Sequence, residues 1–343
     1  MDTKDRLMIA IPVTRIGNSG GHRVLAKLST EWEKMGNKVT FIDKSGQKPY
    51  FPIKSKIIDV SPDKKYFGLY NCFKYLFKSF DKYDVILANY CLTAFPIFLA
   101  SLLHGNFSKN YYYVQAYEVD FFPGNRLMRF LTAVTYKLPF KKIVNSDIYL
   151  NYKLCKSDIA VYPGLDLANY FPKDITKFSN GPIKIGTIGR TETWKGTATV
   201  CKAMELLKAE GIEFEFYIAF NDFETCEHHF VRPDGDENLA AFYRDMDIVI
   251  AACNGQFGAI HYPVIETMAV GSTIICTDYF PSNDSNAYKV QPDSLEEIVQ
   301  AVKEVIADKE TAIKKRQQAL QDVQQFDWPN VAQKFLDYIH KTL

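Results

Sequence analysis

At 343 residues, 47% of them apolar, the chain carries enough core-forming material for two domains of about 150 residues each. Its formal net charge is +1, close to balance. It contains no run of about 18 uncharged apolar residues, which excludes a spanning helix; the longest candidate, residues 90–103, is short and holds Pro96.

The opening MDTKDRLMIAIPV passes from charges straight into a strand-like run, unlike a secretory leader, so a cytoplasmic location is expected. Seven cysteines (Cys72, Cys91, Cys155, Cys201, Cys226, Cys253 and Cys276) are scattered singly without a CxxC pair, which argues against a disulfide framework or a zinc site. His228 and His229 are adjacent and have no further ligand at metal spacing. The balanced charge conceals an asymmetry: up to Ala160 there are 24 Lys+Arg against 13 Asp+Glu, and beyond it 17 against 27. The basic part also interleaves aromatics with cations, as in YFGLYNCFKYLFKSF (66–80) and NRLMRFLTAVTYKLPFKK (125–142). That mixture suits an anionic membrane surface, and it equally suits core packing plus attraction between two oppositely charged halves.

In chain order, 8–13 (MIAIPV) reads as a strand, 17–22 (GNSGGH) as a turn, 23–35 as a helix ended by Gly36, and 38–43 (KVTFID) as the next strand. Further strands are expected at 84–88, 111–115 and 142–144, and the first domain closes near Tyr162-Pro163-Gly164. After the polar linker 171–182 the pattern restarts with strand 183–188, helix 197–210, strand 213–219, helix 239–246, strand 247–252, helix 263–270 and strand 273–277. Residues 294–343 are helical and interrupted at FDWPN (326–330). Strands alternating with helices predict an α/β protein with two Rossmann-like domains, 1–162 and 163–325, whose parallel sheets face a cleft that holds the ligand. The last helix, 326–343, is expected to cross back to the first domain.

Two strand-to-helix junctions carry chemistry. GNSGGH offers Gly20 and Gly21 where backbone can approach an anion, with His22 beside them; it departs from GxGxxG and no acid follows at dinucleotide spacing, so a nicotinamide or flavin is not expected. In KIGTIGRTETWKG (184–196) a strand delivers Gly189-Arg190, and Lys195 follows at a helix start. Two cations beside a helix N-terminus suit a diphosphate. Asp245-Met246-Asp247 and Asp234-Gly235-Asp236 have the DxD form of a metal motif, but the first sits where a helix hands over to a buried strand and the second in a polar loop; no metal is expected.

Together with GQFGAIHYPVIETMAVG (255–271), NSDIYLNYKL (145–154) and YPGLDLANYFP (162–172), these stretches resemble family-4 glycosyltransferases of GT-B fold. YYVQAYEVDFFPG (112–124) is similar to a segment of the branch with bacterial rhamnosyltransferases of surface-glycan assembly. The resemblance implies a metal-independent, retaining hexosyltransferase whose donor is a nucleoside-diphosphate sugar, with no further cofactor. It implies that Arg190 and Lys195 clamp the diphosphate and stabilise the leaving group, with Gly189, and that His261, Tyr262 and Pro263 present backbone amides to the donor. Glu266 is the acid the family bonds to ribose hydroxyls. The family's other acid, eight positions earlier, is replaced by Gly258, and Gln256 or the backbone of 258–262 is left to meet the sugar.

In the first domain Gln115, Tyr117 and Glu118 follow a strand and are expected to face the acceptor, with Glu118, or alternatively Asp120, orienting its hydroxyl. The expected acceptor is a glycan or lipid-linked oligosaccharide at the inner membrane face; nucleic acid is not expected. A sugar-nucleotide epimerase on the same fold and a non-catalytic sugar-nucleotide binder are the competing readings.

Overall fold

The computed structural model describes residues 6–17, 19–61, 68–254 and 260–343. The chain divides into two units, one of Met1–Gly164 with Trp328–Leu343 and one of Leu165–Asp327, two residues beyond the expected limits of 162 and 325.

The first unit contains β1 (Met8–Val13), α1 (Gly20–Lys34), β2 (Lys38–Asp43), β3 (Lys56–Asp59), α2 (Gly68–Ser79), β4 (Val85–Ala88), α3 (Cys91–His104), β5 (Asn110–Val114), α4 (Arg126–Thr135), β6 (Lys141–Val144) and β7 (Ile159–Ala160). Its sheet runs β3-β2-β1-β4-β5-β6-β7, with every pairing parallel. Helices cover both faces, so β4 and β5 are buried throughout and read as unbroken runs, VILA and NYYYV. The three consecutive tyrosines of β5 bury their rings and still find partners for each hydroxyl: Tyr112 donates to Glu118 at 3.0 Å, Tyr113 to the Val161 carbonyl at 3.1 Å, and Tyr111 meets Thr342 Oγ1 at 2.9 Å.

The second unit contains β8 (Ile183–Ile188), α5 (Thr197–Ala209), β9 (Phe214–Ala219), β10 (His229–Val231), α6 (Gly235–Asp245), β11 (Ile248–Ala251), α7 (Tyr262–Val270), β12 (Thr273–Cys276), β13 (Tyr288–Lys289), α8 (Leu295–Ala307) and α9 (Lys309–Asp322). Its parallel sheet is ordered β10-β9-β8-β11-β12-β13. The buried Arg316 of α9 ties this unit together, donating to Thr273 Oγ1 at 2.8 Å, to the Asp247 carbonyl at 2.9 Å and to the carbonyls of Ile175 and Lys177 at 3.0 Å. The Asp247 carboxylate accepts the amides of Ser179 and Lys184, both at 3.0 Å, and Asp245 pairs with the Lys184 ammonium at 2.9 Å. The first DxD therefore brackets a strand start.

The last helix, α10 (Trp328–Thr342), returns to the first unit and packs on α1. Trp32 and Phe335 meet edge to face at 5.1 Å, and the Trp32 indole donates to the Ala332 carbonyl at 3.2 Å. Among the described residues no helix is long and apolar enough to cross a membrane. In each unit the strand order reverses beside one central strand, between β1 and β4 and between β8 and β11, which makes the carboxyl ends of these strands the places for a ligand.

Candidate functional site

The ends of β8 and β11 enclose a cavity of about 160 Å³ lined by Thr187, Ile188, Arg190, Lys195, Ile250, Ala251, His261, Tyr262 and Pro263. The local chain path explains the convergence. Beyond β8, Gly189 donates its amide to the Ala219 carbonyl and accepts from Asn221 Nδ2, both at 2.8 Å. A Cβ at Gly189 would stand 2.4 Å from the Asn221 carbonyl oxygen, so this glycine serves the close approach of β8 to β9 and does not line the cavity where it was expected. Arg190 then turns outward, its amide held by Thr197 Oγ1 at 3.0 Å. Thr193–Lys195 form one tight turn closed by Gly196 at φ 74°, and the Trp194 carbonyl accepts the Asn254 amide at 2.7 Å. That contact docks Lys195 beside the end of β11.

Opposite stands the start of α7, with His261 in extended backbone as its cap, Pro263 in its first turn and Gly271 closing it at φ 74°. The positive end of this helix and the two cations favour an anion. His261 is only 6% exposed. Burial first, then the charges of Lys195 and Arg190, push its pKa down to about 3, so the ring is neutral. Its ring lies 4.8 Å from that of Tyr279, and among the described residues Nδ1 has no hydrogen-bond partner.

Glu266, one turn into α7, is buried and accepts the Tyr170 hydroxyl at 3.2 Å. Burial, then the Glu266 charge, push the neighbouring Tyr243 phenol far above its usual range. Glu266 is not among the residues lining the cavity. Tyr170 and Tyr243 were not anticipated, because nothing in a sequence distinguishes an aromatic that supports an acid from one that fills a core. Gly258 and Gln256 lie outside the described residues.

In the first unit, a cavity of about 420 Å³ opens at the ends of β1, β4 and β5, with Ser19, Gly21, His22, Asn89, Gln115 and Glu118 in its walls. Gly20 and Gly21 form the first turn of α1. A Cβ on Gly21 would press within 3.2 Å of the Gln115 amide, whose Nε2 donates to the Gly21 carbonyl at 3.3 Å. His22 shares a 2.7 Å hydrogen bond between Nδ1 and Ser19 Oγ; burial and Arg15 lower its pKa against the pull of Asp43.

Two expectations need correction here. Glu118 lines the cavity as expected but is buried, and its oxygens are already engaged, accepting the Cys91 amide at 2.6 Å and the Tyr112 hydroxyl at 3.0 Å, so that it caps α3 as well as facing the cavity. Burial raises its pKa to about 7 despite those two donors. Tyr117 turns into an aromatic cluster, stacked on Tyr136 at 5.6 Å and edge-on to Tyr152 at 5.0 Å, with the Lys153 ammonium 4.6 Å from its ring centre. Asp120 is half-exposed between Arg129 at 3.8 Å and Lys153 at 3.7 Å.

Size alone does not mark the site. A larger hollow of about 930 Å³, lined by Pro182, Met204, Lys208, Phe216, Cys226 and His228 among others, lies away from both strand-order reversals.

The architecture is the GT-B fold, with two parallel-sheet α/β units. Residues 182–308 match the family model for glycosyl transferases group 1. A search of the curated proteins found no match. Among solved structures, HepE from Anabaena in complex with UDP is similar at a TM-score of 0.75 and 13% identity, over 98% of this chain and 100% of its own. A glycosyltransferase from Rickettsia africae ESF-5 follows at 0.73 and 17%, over 98% and 99%. Sucrose-phosphate synthase from Thermosynechococcus elongatus reaches 0.69 and 15%, over 98% and 99%.

Proposed function

We propose that the protein is a glycosyltransferase that moves a sugar from a nucleoside diphosphate to a glycan acceptor. The observation that carries this reading is the convergence of Arg190, Lys195 and the N-terminus of α7 on one cavity at the β8/β11 reversal. As the bond between the sugar and the diphosphate breaks, negative charge builds on the departing phosphate. Fixed cations and helix amides stabilise that charge more in the transition state than in the bound donor, which is the condition for catalysis. The group 1 match over residues 182–308 supports the same chemistry, and HepE, which shares the fold, has been solved with UDP and with UDP-glucose. A UDP-hexose or related nucleotide sugar is therefore the donor class to try first.

We further place the chain in family 4, near the rhamnosyltransferase branch, on the segment YYVQAYEVDFFPG (112–124). Transfer is metal-independent and retaining, and Glu266 holds the donor ribose. The acceptor enters the cavity of the first unit, where Gln115 and His22 offer hydrogen bonds, and it is lipid-linked. The first unit reaches the lipid through α3 and α4, which expose Leu99, Leu102, Leu103, Leu127 and Phe130, with Arg126 exposed on α4. Apolar side chains flanked by cations suit an anionic interface.

Incubation with a panel of nucleotide sugars and a lipid-linked acceptor tests the reading. Transferred sugar supports it; an isomerised donor would show an epimerase, and binding without product a non-catalytic binder.

A further inference from the structure

His261 has a feature the clamp alone does not explain. Its imidazole is 6% exposed, and among the described residues Nδ1 has no hydrogen-bond partner. A buried polar atom left unpaired destabilises the empty protein and calls for an explanation, of which a bound group is one. The ring packs against Tyr279 at 4.8 Å, and the residue stands at the cap of the nine-residue α7, in the wall of the cavity that Arg190 and Lys195 also line.

The two cations near the ring, Lys195 and Arg190, favour an anion. A charged imidazole would be repelled by the two cations, whereas a neutral one adds a directed N–H donor without repulsion. At about 160 Å³ the cavity is well below the roughly 300–1,000 Å³ of pockets that enclose a whole drug-sized ligand, so it matches a diphosphate better than a complete nucleotide sugar. We propose that His261 is a third ligand of the donor's diphosphate, donating Nδ1–H to a phosphoryl oxygen beside Arg190 and Lys195, and that it helps the site select diphosphates over monophosphates. The proposal rests on the reading of the second unit as a nucleoside-diphosphate site.

Calorimetric titration of the full chain with UDP, dTDP and GDP, each beside its monophosphate, provides the test. His261→Phe keeps the ring volume and removes the donor; it is expected to weaken the bound diphosphate roughly tenfold or more while leaving the monophosphate within twofold. His261→Asn, whose side-chain N–H falls near the place of Nδ1, recovers most of the loss. Equal weakening of both nucleotides, or wild-type diphosphate affinity in His261→Phe alongside a weakened Arg190→Ala, overturns the role of His261 and leaves the clamp standing. If no diphosphate binds the wild type, the underlying site assignment fails and this proposal with it. Nitrogen-15 histidine spectra of the wild type give a second readout that needs no stable variant. Added diphosphate should shift a protonated Nδ1 of a neutral ring, and unshifted histidine spectra at saturating diphosphate overturn the proposal.

Discussion

The α-carbon of Gly196 faces the carbonyl oxygen of Ala252 so closely that a Cβ placed on it would stand 1.8 Å from that oxygen. Gly196 sits at φ 74°, and Gly211, at φ 79°, has nothing within 4 Å of such a Cβ. The pair separates backbone strain from steric clash. Gly211→Ala should cost about 1–2 kcal/mol, the penalty of the left-handed region alone. Gly196→Ala should cost about 4 kcal/mol or more, because the turn carrying Lys195 must leave the end of β11. Denaturant titration of both variants checks this; equal losses would mean that the contact with Ala252 relaxes freely.

The clamp and the acid should fail differently. In the proposed reaction Arg190→Ala and Lys195→Ala remove interactions that strengthen as charge builds on the leaving phosphate, so kcat should fall by about two to three orders of magnitude, more than donor binding does. If Glu266 holds the donor ribose as proposed, Glu266→Gln should act mainly on donor KM, since such contacts are similar in ground and transition states. EDTA should leave the wild-type rate unchanged. Unaltered kcat in both cation variants would remove Arg190 and Lys195 from the leaving group, and a collapsed kcat with normal donor affinity in Glu266→Gln would move that acid into the chemistry.

Much of this arrangement is legible in the chain itself. The central strand β11 (IVIA) is covered on both faces, so its apolar run marks it in the chain, and β8 (IKIGTI) is marked by its β-branched residues. The edge strands β3 (KIID) and β10 (HFV) are half-exposed and lack that signature, and neither was anticipated. Helix α1 begins at Gly20, three residues before the expected 23, because glycines are poor helix formers and hide the first turn. Arg190, Lys195 and His261 fell in one place because the end of a strand and the start of a helix have fixed destinations in a parallel sheet. Tyr117 did not, and Glu118 lines its cavity only as a buried helix cap, since the chain after β5 gives no periodic signal for which side chain turns inward. The demand of the α3 N-terminus for an acceptor is visible only in three dimensions.

Binding to lipid should depend on charge as well as on exposed apolar side chains. Leu127 and Phe130 of α4 are 66% and 65% exposed, and the chain up to Ala160 carries 24 Lys+Arg against 13 Asp+Glu. The full-length protein should sediment with vesicles containing phosphatidylserine and much less with neutral ones at low salt, with about 1 kcal/mol for each cation at the surface, screened as salt rises. Leu127→Ser with Phe130→Ser should weaken that binding severalfold without unfolding the chain. Equal binding to neutral and anionic vesicles would assign the basic excess to attraction within the protein.

Glu118 sets a pH dependence whose sign is unusual for a carboxyl. Hydrogen bonds from the Cys91 amide and the Tyr112 hydroxyl favour the charged form, yet burial outweighs them and raises the pKa from 4.5 to about 7. Between those values the unfolded chain has released this proton while the folded chain still holds it. Stability from this group is therefore complete below pH 4.5 and declines as pH rises toward 7, by an amount on the order of 3 kcal/mol. Glu118→Gln keeps an acceptor for the Cys91 amide and cannot titrate. Denaturant unfolding at intervals from pH 5 to 8 should show the wild type losing stability relative to Glu118→Gln across that range, with the two curves parallel above it. Curves parallel throughout would mean that Glu118 is already ionised at pH 5, its charge held at the start of α3 by the helix amides more strongly than burial opposes it.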